Sequence, residues 1–421
     1  MLPEERPGRR ELSIPQQSPE KARQPGGRSG KKAIQIMVDA SLVKYLAEKR
    51  SEMLSKLQEL VEIESGSHDQ AGVNRAGAFM GNELDRLGFT IETVSQPPAG
   101  NLIIARRSFA GKGRVLILGH LDTVWPTGTL KEWPFAVTGD GLATGPGIGD
   151  MKGGLIVALA AIEALAACRL VHLESIAFML VPDEELGSTY SRSHIEAGGR
   201  KADWALVMEP GRPNGGVVTS RGAVGAFYLR ARGRTAHCGG AFLEGVSAIR
   251  ELAPKVEQIE SLSTPEEGRI LNVGIFRGGE ARQVVPADAE MHIDLRAPDS
   301  EEADRLIARL REIALTPANP GVELSLTGGL TRPALSRTAG VIDLYQRALT
   351  IAREMKISLP EVHSRAGSDA NLVVRQGTPA LDGLGPVAWD VCSRRERIAV
   401  ESLGQRALLL AQLMAGLKSD R

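Results

Sequence analysis

The chain has little cysteine, few aromatic residues and no excess of either charge. Three cysteines, Cys168, Cys238 and Cys392, are too few and too scattered for a disulfide framework, which points to a reducing, cytoplasmic setting. Basic and acidic side chains number 51 each, so nothing argues for nucleic acid or an anionic membrane surface as a partner. No apolar run reaches the roughly 18–20 residues that a membrane span needs. The first stretch, to about residue 36, is rich in Pro, Gly, Arg and Gln and lacks the apolar core of a secretion signal. It reads as a disordered tail.

What is present is a chain of 421 residues, 42% hydrophobic, able to bury a large core and to form two or three domains. Apolar residues three and four apart predict helices over 41–63 and 77–89. "RVLILGH" (114–120), "ESIAFMLVPD" (174–183) and "ADWALVMEP" (202–210) read as strands, and "GGLIVALAAIEALAA" (153–167) as a nearly all-apolar helix. Such alternation of apolar strands with helices predicts an α/β core with a mixed, largely parallel sheet. After about Val217 the character changes. Segments 223–234, 245–262, 268–279, 288–298, 300–314 and 321–329 read in the order β-α-β-β-α-β, a small α+β unit. Long helices return after "TRPAL" (331–335). The expected division is a tail (1–40), a catalytic domain in two parts (41–217 and 331–418), and an inserted domain (218–330).

Four segments place acidic or imidazole groups at strand ends or helix starts. They are "GHLDTVWP" (119–126) with His120 and Asp122, "GPGIGDMKGG" (145–154) with Asp150, "PDEELGS" (182–188) with Glu184 and Glu185, and "VMEP" (207–210) with Glu209. In an open α/β sheet, ligands collect at the carboxyl ends of strands, so the four can converge. Imidazole and carboxylates suit Zn²⁺ and its neighbours, and also Mn²⁺ or Co²⁺. Asp122 can orient the His120 ring, and a spare glutamate can take a proton from water. Taken singly each motif has a plainer reading: a capped turn for His-x-Asp, and a helix start favoured by the helix dipole for "PDEELGS".

Together, and with "GRTAHCGG" (233–240), the motifs resemble in order and spacing the co-catalytic zinc metallopeptidases of the glutamate carboxypeptidase type. Aminoacylases, acetylornithine deacetylase and succinyl-diaminopimelate desuccinylase are relatives. The resemblance implies that His120 and Glu209 hold one metal, that Asp150 bridges two, and that Glu185 binds the other. It makes Glu184 the general base and Asp122 the group that orients His120. The inserted domain becomes a lid that also makes a homodimer, with His237 reaching the partner's site to polarise the scissile carbonyl. Arg332 in "TRPAL", and Arg296 in "DLRAP", become candidate anchors for a substrate carboxylate.

Two positions depart from the family pattern. Aligned on "GLGP" (383–386) and "ESL" (401–403), Cys392 stands where the family's last metal-binding histidine belongs. Gln283 stands where an asparagine usually helps to bind substrate. Three readings of Cys392 remain open. It is a thiolate ligand to zinc, or a bystander in a site reduced to one metal, or a sign of lost catalysis. The metal content is accordingly one or two divalent ions per chain. His363 in "EVHSRAGSDAN" is a further candidate for the site or a surface residue, and Trp389 stacks on an aromatic substrate or merely packs. The expected activity is metal-dependent hydrolysis of a C–N bond in a small carboxylate-bearing substrate, foremost an N-acyl amino acid or short peptide. The alternatives are an aminohydrolase acting on a carboxylated, aromatic amine, and a binding protein without turnover.

Overall fold

The computed structural model describes residues 38–418. All but the last three residues of the expected N-terminal tail lie outside that range. Helices α1 (Ala40–Glu48), α2 (Arg50–Val61) and α3 (Gln70–Arg86) come first, then strands β1 (Thr90–Gln96), β2 (Gly100–Ser108) and β3 (Arg114–His120). The expected single helix over 41–63 is broken at Lys49. Apolar spacing continues across the break, so periodicity alone does not show it. Helix α3 begins seven residues before the expected Gly77, because Asp69 caps it through the Gly72 N–H at 2.9 Å. Its first turn, Gln70–Val73, holds a glutamine, two small residues and one valine, too little for a periodic signal.

The short strands β4 (Ala136–Val137) and β5 (Leu142–Thr144) precede helix α4 (Gly153–Ala167). Strand β6 (Ser175–Val181), helix α5 (Arg192–Lys201) and strand β7 (Trp204–Val207) follow, then β8 (Val217–Arg221). The inserted segment contributes β9 (Ala223–Arg232), α6 (Ala248–Glu260), β10 (Ile270–Gly278), β11 (Asp288–Ala297), α7 (Ser300–Leu315) and β12 (Glu323–Arg332). The chain closes with α8 (Ala339–Glu354), β13 (Glu361–Ser364), α9 (Ala370–Val374), β14 (Ala380–Leu381), β15 (Ala388–Trp389), β16 (Arg397–Ala399) and α10 (Val400–Gly416).

The main sheet has the order β1-β2-β6-β3-β7-β14, with β6, β3, β7 and β14 parallel and β1 and β2 antiparallel at one side. The α/β class read from the sequence holds, with a mixed sheet. Strand β3 is buried on both faces, which is why it reads as a continuous apolar run instead of an alternating one. Helix α4 is buried along nearly its whole surface and packs on α10, whose apolar run supplies the other half of that contact. Gly154 lets the start of α4 approach the segment after β7: a Cβ there would lie 1.9 Å from the Met208 carbonyl oxygen.

Strands β9 to β12 form a separate antiparallel sheet of order β10-β11-β9-β12, with α6 and α7 on one face and a hydrophobic cluster of their own. Two smaller sheets tie distant parts of the chain together. Strand β13 pairs with β8, and β16 pairs with β5, which fastens the C-terminal segment beside the turn before α4. Among the described residues no helix is long and apolar enough to cross a membrane.

Candidate active site

Parallel pairing fixes where the chemistry gathers. Strands β6, β3 and β7 run side by side, so the loops that leave their carboxyl ends share one edge of the sheet. His120 ends β3, Glu184 and Glu185 form a short turn after β6, and Glu209 follows β7. The irregular turn Ile148–Lys152 ahead of α4 brings Asp150 to the same edge. Gly147, just ahead of that turn, holds φ +68°, and a Cβ there would meet Thr123 at 2.4 Å.

The His120 Nε2 lies 3.0 Å from Asp150 Oδ1 and 4.0 Å from Glu209 Oε1. Its Nδ1 lies 2.8 Å from the Asp122 carbonyl oxygen, which fixes the ring. Asp122 also braces the facing turn. Its carboxylate accepts from the Glu184 and Glu185 N–H groups at 3.1 and 3.2 Å and from Ser67 Oγ at 2.8 Å. Two sets of donor atoms lie within 4.8 Å of one another: His120 with Glu184 and Glu209, and His120 with Asp150 and Glu185.

Electrostatically the cluster is acid-rich. Burial, then the charge of Asp150, pushes Glu185 up to about 9 and Glu209 well above the carboxylate range. Burial alone would lower the His120 pKa, but hydrogen bonds to Asp122 and Asp150 outweigh it and raise the ring well above its usual value. Glu185 Oε1 is buried with no hydrogen-bond partner. A buried carboxylate oxygen without a donor is costly, and several carboxylates around one imidazole repel one another. A divalent cation satisfies both conditions. The donor set therefore fits a metal, with His120, Asp150, Glu184, Glu185 and Glu209 as the groups able to hold it.

Cys392 lies beside this cluster, outside both compact sets. Its Sγ is 3.4 Å from Asp150 Oδ2, and its backbone takes φ +58°. Burial and the charges of Asp150 and Glu185 push its thiol upward. Arg332, at 4% exposure, has both terminal nitrogens committed. They reach Glu184 Oε1 at 3.0 Å, Asp369 Oδ1 at 3.0 Å, Ser188 Oγ at 2.8 Å and the Gly187 carbonyl. Arg296 pairs with Asp294 on its own strand at 2.7 Å. His237 and Gln283 are exposed on the inserted unit, where the His237 Nδ1 accepts from the Gly239 and Gly240 N–H groups and the Gln283 carbonyl accepts from the Cys238 N–H. No hydrogen bond or ion pair among the described residues joins Arg296, His237 or Gln283 to the cluster. His363 bonds Ser220 at the surface at 3.0 Å. Arg397 lies over the Trp389 ring at 5.9 Å.

Several supporting residues were not anticipated. Glu396 Oε1 accepts from the Gly149 and Asp150 N–H groups at 2.7 and 3.1 Å and so sets the backbone that carries Asp150. Lys152 is buried with its Nζ 2.7 Å from the Ile63 carbonyl, and burial pulls it down to about 7. Arg221 pairs with Asp382 at 2.7 Å, both fully enclosed. A buried lysine two residues past Asp150 and an acid four past Cys392 were the available signals, but neither residue type at such spacing points to a role.

A family model described as peptidase family M20/M25/M40 matches residues 116–416. Carboxypeptidase G2 of Pseudomonas sp. (strain RS-16) is 29% identical over 389 residues, covering 91% of this chain and 93% of the relative. A succinyl-diaminopimelate desuccinylase of Bordetella avium is 27% identical over 345 residues, covering 77% and 88%. Among solved structures, an M20 family metallo-carboxypeptidase from Sulfolobus solfataricus superposes with a TM-score of 0.65 at 17% identity, covering 86% of this chain and 98% of that one.

Proposed function

The chain belongs to peptidase family M20/M25/M40, a family of metal-dependent hydrolases acting on C–N bonds, and from that premise we propose that it cleaves an N-acyl amino acid or short peptide bearing a free carboxylate, in the manner of a glutamate carboxypeptidase. The observation that carries this reading is the acid-rich cluster at the β3, β6 and β7 ends, with Glu184 held beside it by Arg332.

His120, Asp150, Glu185 and Glu209 would hold a divalent ion, which would supply Lewis acidity to the scissile carbonyl and make water a stronger acid. Glu184 takes a proton as the water oxygen attacks the carbonyl carbon, and returns it to the leaving nitrogen as the C–N bond breaks. Asp122 keeps the His120 ring and the Glu184–Glu185 turn in register. Arg332 fixes the Glu184 carboxylate from the other side. In a dimer formed through the inserted unit, His237 serves the neighbouring subunit's carbonyl, and Gln283 lies on the same surface. Three free cysteines support a reducing, cytoplasmic setting.

A second reading has one observation in its favour. Cys392 stands outside the compact donor sets, which supports a site centred on one ion and a different C–N bond, such as the amino group of a carboxylated aromatic amine. One experiment separates the two. The zinc-, manganese- or cobalt-loaded protein is incubated with N-acyl glutamates and, separately, with aminobenzoates. Free glutamate supports the first reading; ammonia with a changed aromatic absorbance supports the second; neither product returns the chain to a binding role.

A further inference from the structure

The loop between β15 and β16 carries two residues that reach the Asp150 turn, and they differ in how they meet it. Cys392 is exposed, and its Sγ lies 3.4 Å from Asp150 Oδ2. Glu396, at the end of the same loop, is wholly buried. Its Oε1 accepts from the Gly149 N–H at 2.7 Å and the Asp150 N–H at 3.1 Å. Its Oε2 accepts from Trp125 Nε1 at 3.4 Å. Its carbonyl accepts from Thr144 Oγ1 at 2.7 Å, beside the pairing of β16 with β5. One residue therefore joins the loop to the segment after His120 and to the turn that carries Asp150.

The backbone of that turn is irregular: Asp150 takes φ −114° and ψ 92°, outside helical values. Backbone N–H groups in such a turn need an acceptor from elsewhere, and one Glu396 oxygen serves two of them. The packing is close. A Cβ on Gly149 would meet Ala388 Cβ at 3.1 Å, Val391 Cγ1 at 3.3 Å and Glu396 Oε1 at 3.4 Å. Glu396 holds the main chain of Asp150 and leaves both of its carboxylate oxygens to other partners, with Oδ1 facing His120 Nε2 at 3.0 Å. A ligand is fixed in this way without competition for the atoms that would bind the ion.

We propose that this loop serves the metal centre through Glu396 and not through the Cys392 thiol, with Glu396 as the positioning residue for Asp150. This rests on the reading of His120, Asp150, Glu185 and Glu209 as groups that hold a divalent ion. Trp125 completes the device: its indole N–H occupies the second oxygen of Glu396 while the first faces Gly149 and Asp150.

The test is zinc affinity, measured on full-length, chelator-stripped protein by competition with a chromogenic chelator. Glu396→Leu fills much of the same space without an acceptor, and the zinc dissociation constant is expected to rise by about 10- to 100-fold. Glu396→Gln keeps an oxygen for the two N–H groups but turns an amide donor on Trp125. It is expected to lie between the parent and Glu396→Leu, and to recover when Trp125→Phe removes the indole N–H. Glu396→Asp keeps the charge and loses the reach, so it binds zinc more weakly than Glu396→Gln. Cys392→Ala moves the constant less than Glu396→Leu does. A constant unmoved by Glu396→Leu, or moved further by Cys392→Ala, overturns the assignment. So does a loss confined to the zinc-free thermal midpoint, which is what a purely structural acid would give. Should Glu396→Leu not fold, the order of Glu396→Asp and Glu396→Gln decides, and the reverse order overturns it. If the unsubstituted protein binds none of zinc, manganese or cobalt, the metal reading fails and this assignment with it; zinc bound equally by parent and variants removes the role of Glu396 alone.

Discussion

Two buried charge systems lie at the same sheet edge, one unfinished and one closed. Around His120 the side chains of Asp150, Glu184, Glu185 and Glu209 crowd a single imidazole, and Glu185 Oε1 has no partner at all. Behind them, Arg221 and Asp382 form a pair in which each charge faces its opposite and several further partners. Asp382 accepts from Arg221 Nε and Ser368 Oγ, both at 2.7 Å, and from the Gly383 N–H at 2.6 Å. The closed pair is the more buried, at 3% and 0% exposure against 12–15% for Asp150, Glu184 and Glu209, but what separates the two in function is completeness. An incomplete buried set draws an ion or substrate, whereas a complete one holds the scaffold in place.

The largest effect is expected in the unfinished system. Glu184→Gln removes the proton carrier without changing shape, and kcat should fall by about 10²–10⁴. Steady-state assay of glutamate release checks this, with circular dichroism to show an intact fold. Retained turnover would remove Glu184 from the chemistry. The closed system should respond in stability instead. Asp382→Ala leaves Arg221 buried and uncompensated, at a cost of about 3–5 kcal/mol. Guanidinium denaturation measures it, and an unchanged midpoint would mean that the pair is not closed in the sense argued above.

The third comparison lies inside the unfinished system. Cys392 touches only one carboxylate of the cluster. Elemental analysis of protein purified without chelator should find one ion per chain, rising towards two in Cys392→His. Two ions in the unsubstituted chain would instead make the thiolate, or another residue, a ligand.

How far the sequence reached differs between the two systems for the same reason. His120, Asp150, Glu184 and Glu209 follow apolar runs or a glycine-rich turn, and each sits in a short recognisable motif. Strand ends converge, so local pattern implies shared place. Asp382, Ser368 and Asp369 come from the far side of the inserted segment, more than a hundred residues from Arg221 and Ser188; they adjoin "GLGP" or lie in "GSDAN", but neither run says which distant group it meets. At the level of elements, buried strands such as β3 were legible because continuous apolar runs have few other homes. The first turn of α3 and the break at Lys49 were not, because capping and local geometry decide them.

Lys152 tests the boundary between the systems through pH. It is buried, its Nζ bonds only a backbone carbonyl, and its pKa is lowered from 10.5 to about 7. A lysine depressed on folding is neutral in the folded state where the unfolded chain still binds a proton. Its contribution to stability is therefore present above about 10.5 and is lost as pH falls towards about 7. Denaturation midpoints taken from pH 7 to 10 should rise more steeply in the unsubstituted protein than in Lys152→Met. Parallel curves would mean that Lys152 keeps its charge by pairing with Glu64 or Glu396, the acids whose fields reach it.

The smallest effect comes from an ion pair that shares the β8–β13 neighbourhood with Arg221 but not its burial. Arg337 forks onto Glu361 at 2.8 and 2.9 Å, a better geometry on paper than the single Arg221 contact. Yet its side chain is 43% exposed against 3% for Arg221. Water and salt screen the exposed pair, and ordering two long side chains offsets what attraction remains. Arg337→Ala should leave the denaturation midpoint where it was, at low and at high salt alike. A shift comparable to that of Asp382→Ala would mean that bond geometry, rather than burial and completeness, decides which charges matter at this edge of the sheet.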